Sequence, residues 1–477
     1  MTELCDLDAV ELRRRIGSKE ISPVELLDSC LGRIGAVNPA LNAVVATCEE
    51  RARAEAAAAE RAVLDGEDLG PLHGLPLGIK DLNLTEGLRT TFGSLLYKDH
   101  VPAADERMVA GLRAAGGILL GKTNTPEFGA GANTRNEVYG ATGNPFDPAL
   151  TCGGSSGGSA VALATGMLPL ATGSDFGGSL RTPAGFCGVV GFRPSPGLVP
   201  DEDRPVGWSP LPVQGPMGRT LADTALLFRS QVDWDPRDPF SQALDPELGE
   251  LAQEVDLSSL RVATSEDLGC APVDDEIRAV FRESMAALAP AFAACGARDP
   301  DLGPVHEVFE ILRGVNFLAA HRERIEQHRD ELGPNVIDNL ERGLVYTTSD
   351  IAWAHAEQTK AYRRFLALYD EVDVLICPAC SVSPFPHEQL YVTEISGLAM
   401  DTYMRWLAIT YGITMTCHPV VVLPCGRDRR GLPFGIQVVG RCQDDAGLLR
   451  IAASLERHMS GLEGMSRPVP DLAPLRS

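Results

Sequence analysis

The sequence predicts an α/β fold gathered into a single large domain, and three observations carry that prediction. The chain has 477 residues, 44% of them hydrophobic, which is enough to bury a large core. Short apolar runs suited to buried strands occur toward both ends, with amphipathic helical periodicity between them, so one sheet must draw on distant segments. No repeat or low-complexity linker marks a place to cut, and the domain is read as residues 1–477.

Residues 1–70 read as a helical region. Ser22-Pro23-Val24-Glu25 combines a capping box with proline at the first helical position. Val24, Leu27, Leu31 and Ile34 then continue one apolar face, which Asn38-Pro39 is expected to end. LNAVVA is a strand candidate, and EERARAEAAAAERAV a solvated helix.

Residues 72–220 alternate short apolar strands (LPLGI, GILLG, MLPLAT) with glycine-rich turns. Within them ADERMVAGLRAAG reads as a helix capped by Asp105 and stopped at Gly116, with Met108, Val109, Leu112 and Ala115 on one face. Residues 221–370 return to charged helices such as DDEIRAVFRESMAALAPAF and the segment around AYRRFLALYDEV, expected to shape the substrate site. Residues 371–477 close the sheet: HPVVVLPCGRDRRGLPFGIQVVG predicts two strands around a charged turn, and DDAGLLRIAASLERH a final helix.

Composition removes several function classes. A net charge of −23 repels phosphate backbones and anionic lipid, so neither nucleic acid nor membrane is an expected partner. The first residues lack a basic stretch followed by an apolar one, and SAVALATGMLPLATG is broken by Gly and Pro, so a soluble, cytoplasmic protein is expected. The twelve cysteines read as reduced core thiols, and Cys377 and Cys380 of the single CxxC as packing residues.

GGILLGKT, residues 116–123, satisfies the phosphate-loop pattern GxxxxGK[ST]. Its context opposes nucleotide binding. A helix precedes it, an apolar strand-like run occupies the place of the loop, and Pro126, Gly129 and Gly131 oppose a long helix after it.

Only five of the 42 cationic side chains are lysines, at positions 19, 80, 98, 122 and 360. Where arginine serves as the ordinary cation, a lysine in apolar surroundings points to a need for a group that can lose its proton. Lys80 in LPLGIK has such surroundings, and Lys122 after ILLG has them to a lesser degree.

Two glycine-rich segments stand out, CGGSSGGSAVALATG and TGSDFGGSLRTPAGFCG. The first contains GxSxG twice, but where a nucleophile elbow requires a strand the preceding GNPFDPALTCGG has two prolines and no apolar run. In the second, Gly177 and Gly178 let consecutive amides converge on one point, as an oxyanion requires, which nominates Ser179 as the nucleophile. Residues 101–305 contain no histidine, which leaves distant ones such as His73 and His306 as alternatives. A lysine whose pKa is lowered by burial can replace it as base, with a serine of GGSSGG passing the proton.

In order and spacing, PLGIKD, GKTNTPEF, GGSSGGSA, GSDFGGSLRTPAGFCGVVGFRPS and GLPFGIQVVG resemble the amidase signature family, most densely over 72–200. The resemblance implies a central mixed β-sheet covered by helices on both faces. It also implies a Ser-cisSer-Lys triad of Ser179, Ser155 and Lys80, and an oxyanion hole from the amides of Phe176, Gly177, Gly178 and Ser179. No metal or organic cofactor is required. Phe176 is bulkier than the residue often found there, and Arg193 stands where lysine is commoner. Asp175 and Arg181 are expected to pair and support the loop.

Amide hydrolysis through an acyl-enzyme is the function so implied, with an ester or carbamate hydrolase as variants. A second reading is the A subunit of a tRNA-dependent amidotransferase, a glutaminase that needs a partner. Against it, the helical region reads VNFLAAHRERIEQH where EASSNL is expected of that protein. The expected ligand is a small-molecule amide, with Asn133 and Thr134 as candidate contacts and Phe317, Tyr403 and Trp406 as further pocket candidates. A homodimer is left open.

Overall fold

The computed structural model describes residues 3–242 and 254–476. Eleven strands form one mixed sheet: β1 (Val44–Thr47), β2 (Pro76–Lys80), β3 (Ile118–Thr123), β4 (Leu170–Asp175), β5 (Val190–Arg193), β6 (Val213–Gly218), β7 (Arg261–Thr264), β8 (Ala294–Ala297), β9 (Val374–Pro378), β10 (Val420–Arg427) and β11 (Pro433–Val439). Their spatial order is β1-β3-β2-β4-β6-β5-β10-β11-β9-β7-β8. β3, β2 and β4 run parallel to one another, and so do β9, β7 and β8. The joins through β6, β5, β10 and β11 are antiparallel.

Strands from both ends of the chain therefore share one sheet, the arrangement expected of an α/β domain with helices on both faces. β2, β3 and β11 are buried throughout, which is why their sequences are nearly continuous apolar runs rather than alternating ones. Among the described residues no helix is long and apolar enough to cross a membrane.

Two local expectations are corrected. The helix opened by the Ser22 capping box does not stop at Asn38-Pro39 but runs to Leu41. Asn38 instead receives the amides of Ala43 and Val44 on its side chain, and the stop is made by Asn42 in the left-handed region at φ 55°. The buried face of this helix is Leu26, Leu27, Cys30 and Val37, while Val24, Leu31 and Ile34 sit at its edge. The second correction concerns Asp105, which does not cap the helix Arg107–Ala114. Its carboxylate accepts from the Glu86 amide and pairs with Arg113 at 2.9 Å.

GGILLGKT supplies β3 itself. Lys122 is fully buried and donates to the Asn83 carbonyl and, at 3.1 Å, to Thr85 Oγ1, so its amine serves the core rather than a phosphate. The Cys377 thiol accepts from Gln437 Nε2 and the Cys380 thiol donates to the Thr182 carbonyl, contacts that fit packing roles.

Candidate active site

β2 and β4 are parallel neighbours, so their C-terminal ends open on the same edge of the sheet. β2 ends in Lys80 and β4 in Ser174-Asp175, and the Phe176–Ser179 loop follows directly. A third segment, Gly153-Gly154-Ser155-Ser156, enters the helix α1 (Gly157–Ala164) beside them. This close approach needs glycine: a Cβ on Gly158 would lie 2.2 Å from the Asn124 backbone nitrogen. The Gly154-Ser155 peptide bond is cis.

Lys80 Nζ lies 2.7 Å from Ser155 Oγ, 2.9 Å from Ser156 Oγ and 3.0 Å from Ser174 Oγ. The side chain is wholly buried, and burial brings its pKa down to about 7 against the opposing pull of the Asp175 charge. As an ammonium it would donate to all three hydroxyls. As a neutral amine it has two hydrogens and one lone pair, so one hydroxyl must turn and donate to it. Ser155 makes the shortest contact, and among the described residues Lys80 is its side chain's one hydrogen-bond partner.

Ser179 lies at the end of the loop, partly exposed. Its carbonyl accepts from the Ser156 amide at 3.2 Å, which ties the two serine segments together. No hydrogen bond between Ser155 Oγ and Ser179 Oγ is present among the described residues.

The expected set of four loop amides is corrected at one position. The Gly178 amide donates to Asp175 Oδ1 at 2.9 Å, because the carboxylate folds back under the loop and takes it, together with the Leu180 amide at 3.1 Å. Among the described residues the amides of Phe176, Gly177 and Ser179 have no protein acceptor.

Asp175 and Arg181 form a fully buried two-pronged pair, with both contacts at 3.0 Å. Burial by itself would raise the Asp175 pKa, but the charges of Arg181 and Arg193 win and hold it well below the usual carboxylate range. Arg193 is a second support, donating at 2.7 Å to the Asp175 carbonyl and at 2.9 Å to the Leu211 carbonyl. Arg181 also reaches the Thr410 carbonyl, Thr414 Oγ1 and Gln437 Oε1. The Phe176–Ser179 loop is thereby fixed to the helix Ala408–Thr414 and to β11, more than two hundred residues away in sequence.

Asn133 and Thr134 are buried near Gly153, but their polar atoms are committed to the protein. Asn133 donates to the His387 and Gln389 carbonyls and accepts from Thr151, and Thr134 donates to the Gly153 carbonyl at 2.7 Å. They hold the serine segment. Of the other pocket candidates, Tyr403 lines the cavity above Ser179. Phe317 packs under Arg313, and Trp406 is buried between Phe186 and Phe385. The Phe176 ring meets Phe309 edge-on at 6.1 Å. Sequence reasoning missed Ser156 and Ser174 as partners of Lys80, although both stand in the two segments it singled out.

The fold and its likeness to known proteins define the class, an amidohydrolase acting on amide C–N bonds. A family model described as Amidase matches residues 25–449, and the chain belongs to the amidase signature family. It is 35% identical over 456 residues to an acylamidase of Rhodococcus erythropolis, covering 94% of this chain and 95% of the relative. It is 31% identical over 472 residues to the A subunit of glutamyl-tRNA(Gln) amidotransferase of Thermosynechococcus vestitus, covering 94% of this chain and 97% of the relative. Its fold is similar to that of a bacterial aryl acylamidase crystal structure, with a TM-score of 0.87, 28% identity, and coverage of 94% of this chain and 96% of the other.

Proposed function

We propose that the protein is a free-standing amidase that cleaves its substrate through an acyl-enzyme on Ser179, releasing amine or ammonia and then the acid. The observation that carries this reading is the 2.7 Å contact between Ser155 Oγ and a wholly buried Lys80 amine whose pKa lies near 7. A serine hydroxyl is almost entirely protonated at neutral pH and needs a base, and a neutral buried amine is one.

In this mechanism Lys80 accepts the Ser155 proton as Ser155 takes the proton of Ser179. Closing the relay requires the two hydroxyls to come into contact as substrate binds. Ser179 attacks the carbonyl carbon, and the charge that develops on oxygen faces the free amides of Phe176, Gly177 and Ser179. The proton returns through Ser155 to the departing nitrogen, and water repeats the sequence to free the acid. Asp175 and Arg181 position the loop and take no proton. The same steps serve an ester or a carbamate.

The amidotransferase reading has its own support, since relatives of that name match almost the whole chain. One feature favours the free enzyme: the segment VNFLAAHRERIEQH lacks the pattern associated with the amidotransferase. The test is the purified chain alone, labelled with a fluorophosphonate and assayed on a panel of anilides and primary amides. Turnover without a partner is expected. Glutaminase activity that appears only when a partner is added would sink the proposal.

A further inference from the structure

Arg313, on the helix Val305–His328, lines the cavity above Ser179 together with Phe309 and Tyr403 and is 5% exposed. Other deeply buried arginines of the chain have a counter-charge. Arg33 lies 2.8 Å from Asp6, Arg181 3.0 Å and Arg193 3.3 Å from Asp175, and Arg204 3.3 Å from Asp238. Arg219, the remaining one, donates to the Leu7 and Leu168 carbonyls and acts on the charge of Asp223.

Arg313 has only neutral partners: Asn339 Oδ1 at 2.9 Å and Tyr403 Oη at 2.9 Å. Among the described residues no carboxylate pairs with it. Glu310, one turn earlier on the same helix, and Asp338, beside Asn339, face Arg342 instead. The rings of Phe176 and Phe317, 5.0 and 4.6 Å from the guanidinium, hold its plane in place. A desolvated cation without a counter-ion is costly unless something else supplies the charge.

Tyr403 adds a second unfilled donor. Its hydroxyl oxygen accepts from both Arg313 and Asn339, and among the described residues its own hydrogen has no acceptor. A guanidinium and a phenol O–H, both at the wall of the nucleophile's cavity, match the two oxygens of a carboxylate.

We propose that Arg313 and Tyr403 receive a carboxylate of the substrate, so that the preferred amide carries an acid group close to the bond that is cut. This rests on the reading of Ser179 as nucleophile and names the substrate class of that site. Ser179, Arg313 and Tyr403 line one and the same cavity, which favours a short link between carbonyl and acid. The acid belongs either to the acyl part, as in a monoamide of a dicarboxylic acid, or to the amine part, as in an N-acyl amino acid.

The test compares kcat/KM within two pairs, succinanilic acid against butyranilide and N-acetylglycine against N-ethylacetamide. The wild type should favour the acid in one pair by about 100-fold, the loss expected when hydrogen bonds to a charged group are missing. The pair that shows the preference identifies the side bearing the acid. Arg313→Gln should bring that ratio near one through a rise in KM, with Arg313→Lys recovering part. Succinate, and not succinamide, should slow fluorophosphonate labelling of the wild type, a measurement that needs no variant to fold. If the neutral amide of both pairs is cut as fast as the acid, or succinate gives no protection while labelling proceeds, the Arg313 assignment is overturned and the acyl-enzyme reading stands. If Ser179 is not labelled and no amide is cut, that reading fails and takes this assignment with it.

Discussion

Lys80 Nζ lies 2.7 Å from Ser155 Oγ, and the carboxylate whose charge acts on the amine, Asp175, is already engaged by Arg181 and Arg193. Burial therefore outweighs attraction, and the amine loses its proton near pH 7 rather than near the 10.5 of a free lysine. The sign follows directly: the neutral, competent form predominates above about pH 7 and is lost below it. Hydrolysis should show kcat/KM rising with pH through an inflection near 7. Lys80→Met should remove the inflection and cost on the order of 10³-fold or more. A Lys80→Met enzyme with near-normal activity across the whole pH range would refute the assignment of the base.

Ser179 and Ser155 should fail differently. Ser179→Ala removes the attacking oxygen, so turnover should fall by roughly 10⁴-fold or more and covalent labelling should vanish. Ser155→Ala leaves the nucleophile but breaks the path to Lys80, so labelling should persist at a rate on the order of 10²-fold lower. Mass spectrometry of the labelled chain checks both, and equal labelling rates in wild type and Ser155→Ala would remove Ser155 from the relay.

The candidate base and nucleophile were legible for physical reasons. Lysine is so scarce in this chain that Lys80 stood out, and glycine pairs mark the places where backbone must converge on one point. What lay hidden depends on strand pairing and on side-chain direction. Ser174 reaches Lys80 across 94 positions because β2 and β4 are parallel neighbours, a pairing no local pattern states. Likewise, the Gly178 amide is taken from the expected set of loop donors because the Asp175 carboxylate turns under its own loop. Asn38-Pro39 looked like a helix stop, but the Asn38 side chain was needed by the next strand.

Asp175 balances two buried guanidiniums and two amides at once. Asp175→Asn keeps the shape but removes the charge, leaving Arg181 and Arg193 facing each other uncompensated. The expected cost is about 3–5 kcal/mol of stability, read as a lower urea midpoint, with activity lost in parallel. Replacing Asp175 by Asn with the midpoint unchanged would show that the pair contributes no more than an exposed one.

Gly178 tests the geometry of the loop itself. Its φ of 127° lies where side chains are strained, and a Cβ there would meet Thr410 Oγ1 at 2.3 Å. Thr410 cannot yield easily, because its hydroxyl donates to the Gly177 carbonyl at 2.6 Å and its own carbonyl accepts from Arg181. Gly178→Ala must therefore move the loop, and with it the Phe176 and Gly177 amides, away from the developing oxyanion. Since those amides act on the transition state more than on bound substrate, kcat should fall by about 10²-fold or more while KM changes little. Combining Gly178→Ala with Thr410→Ala removes the clash but not the backbone strain, so recovery should be partial. Full recovery would mean that crowding alone, and not the left-handed backbone, requires glycine at this position.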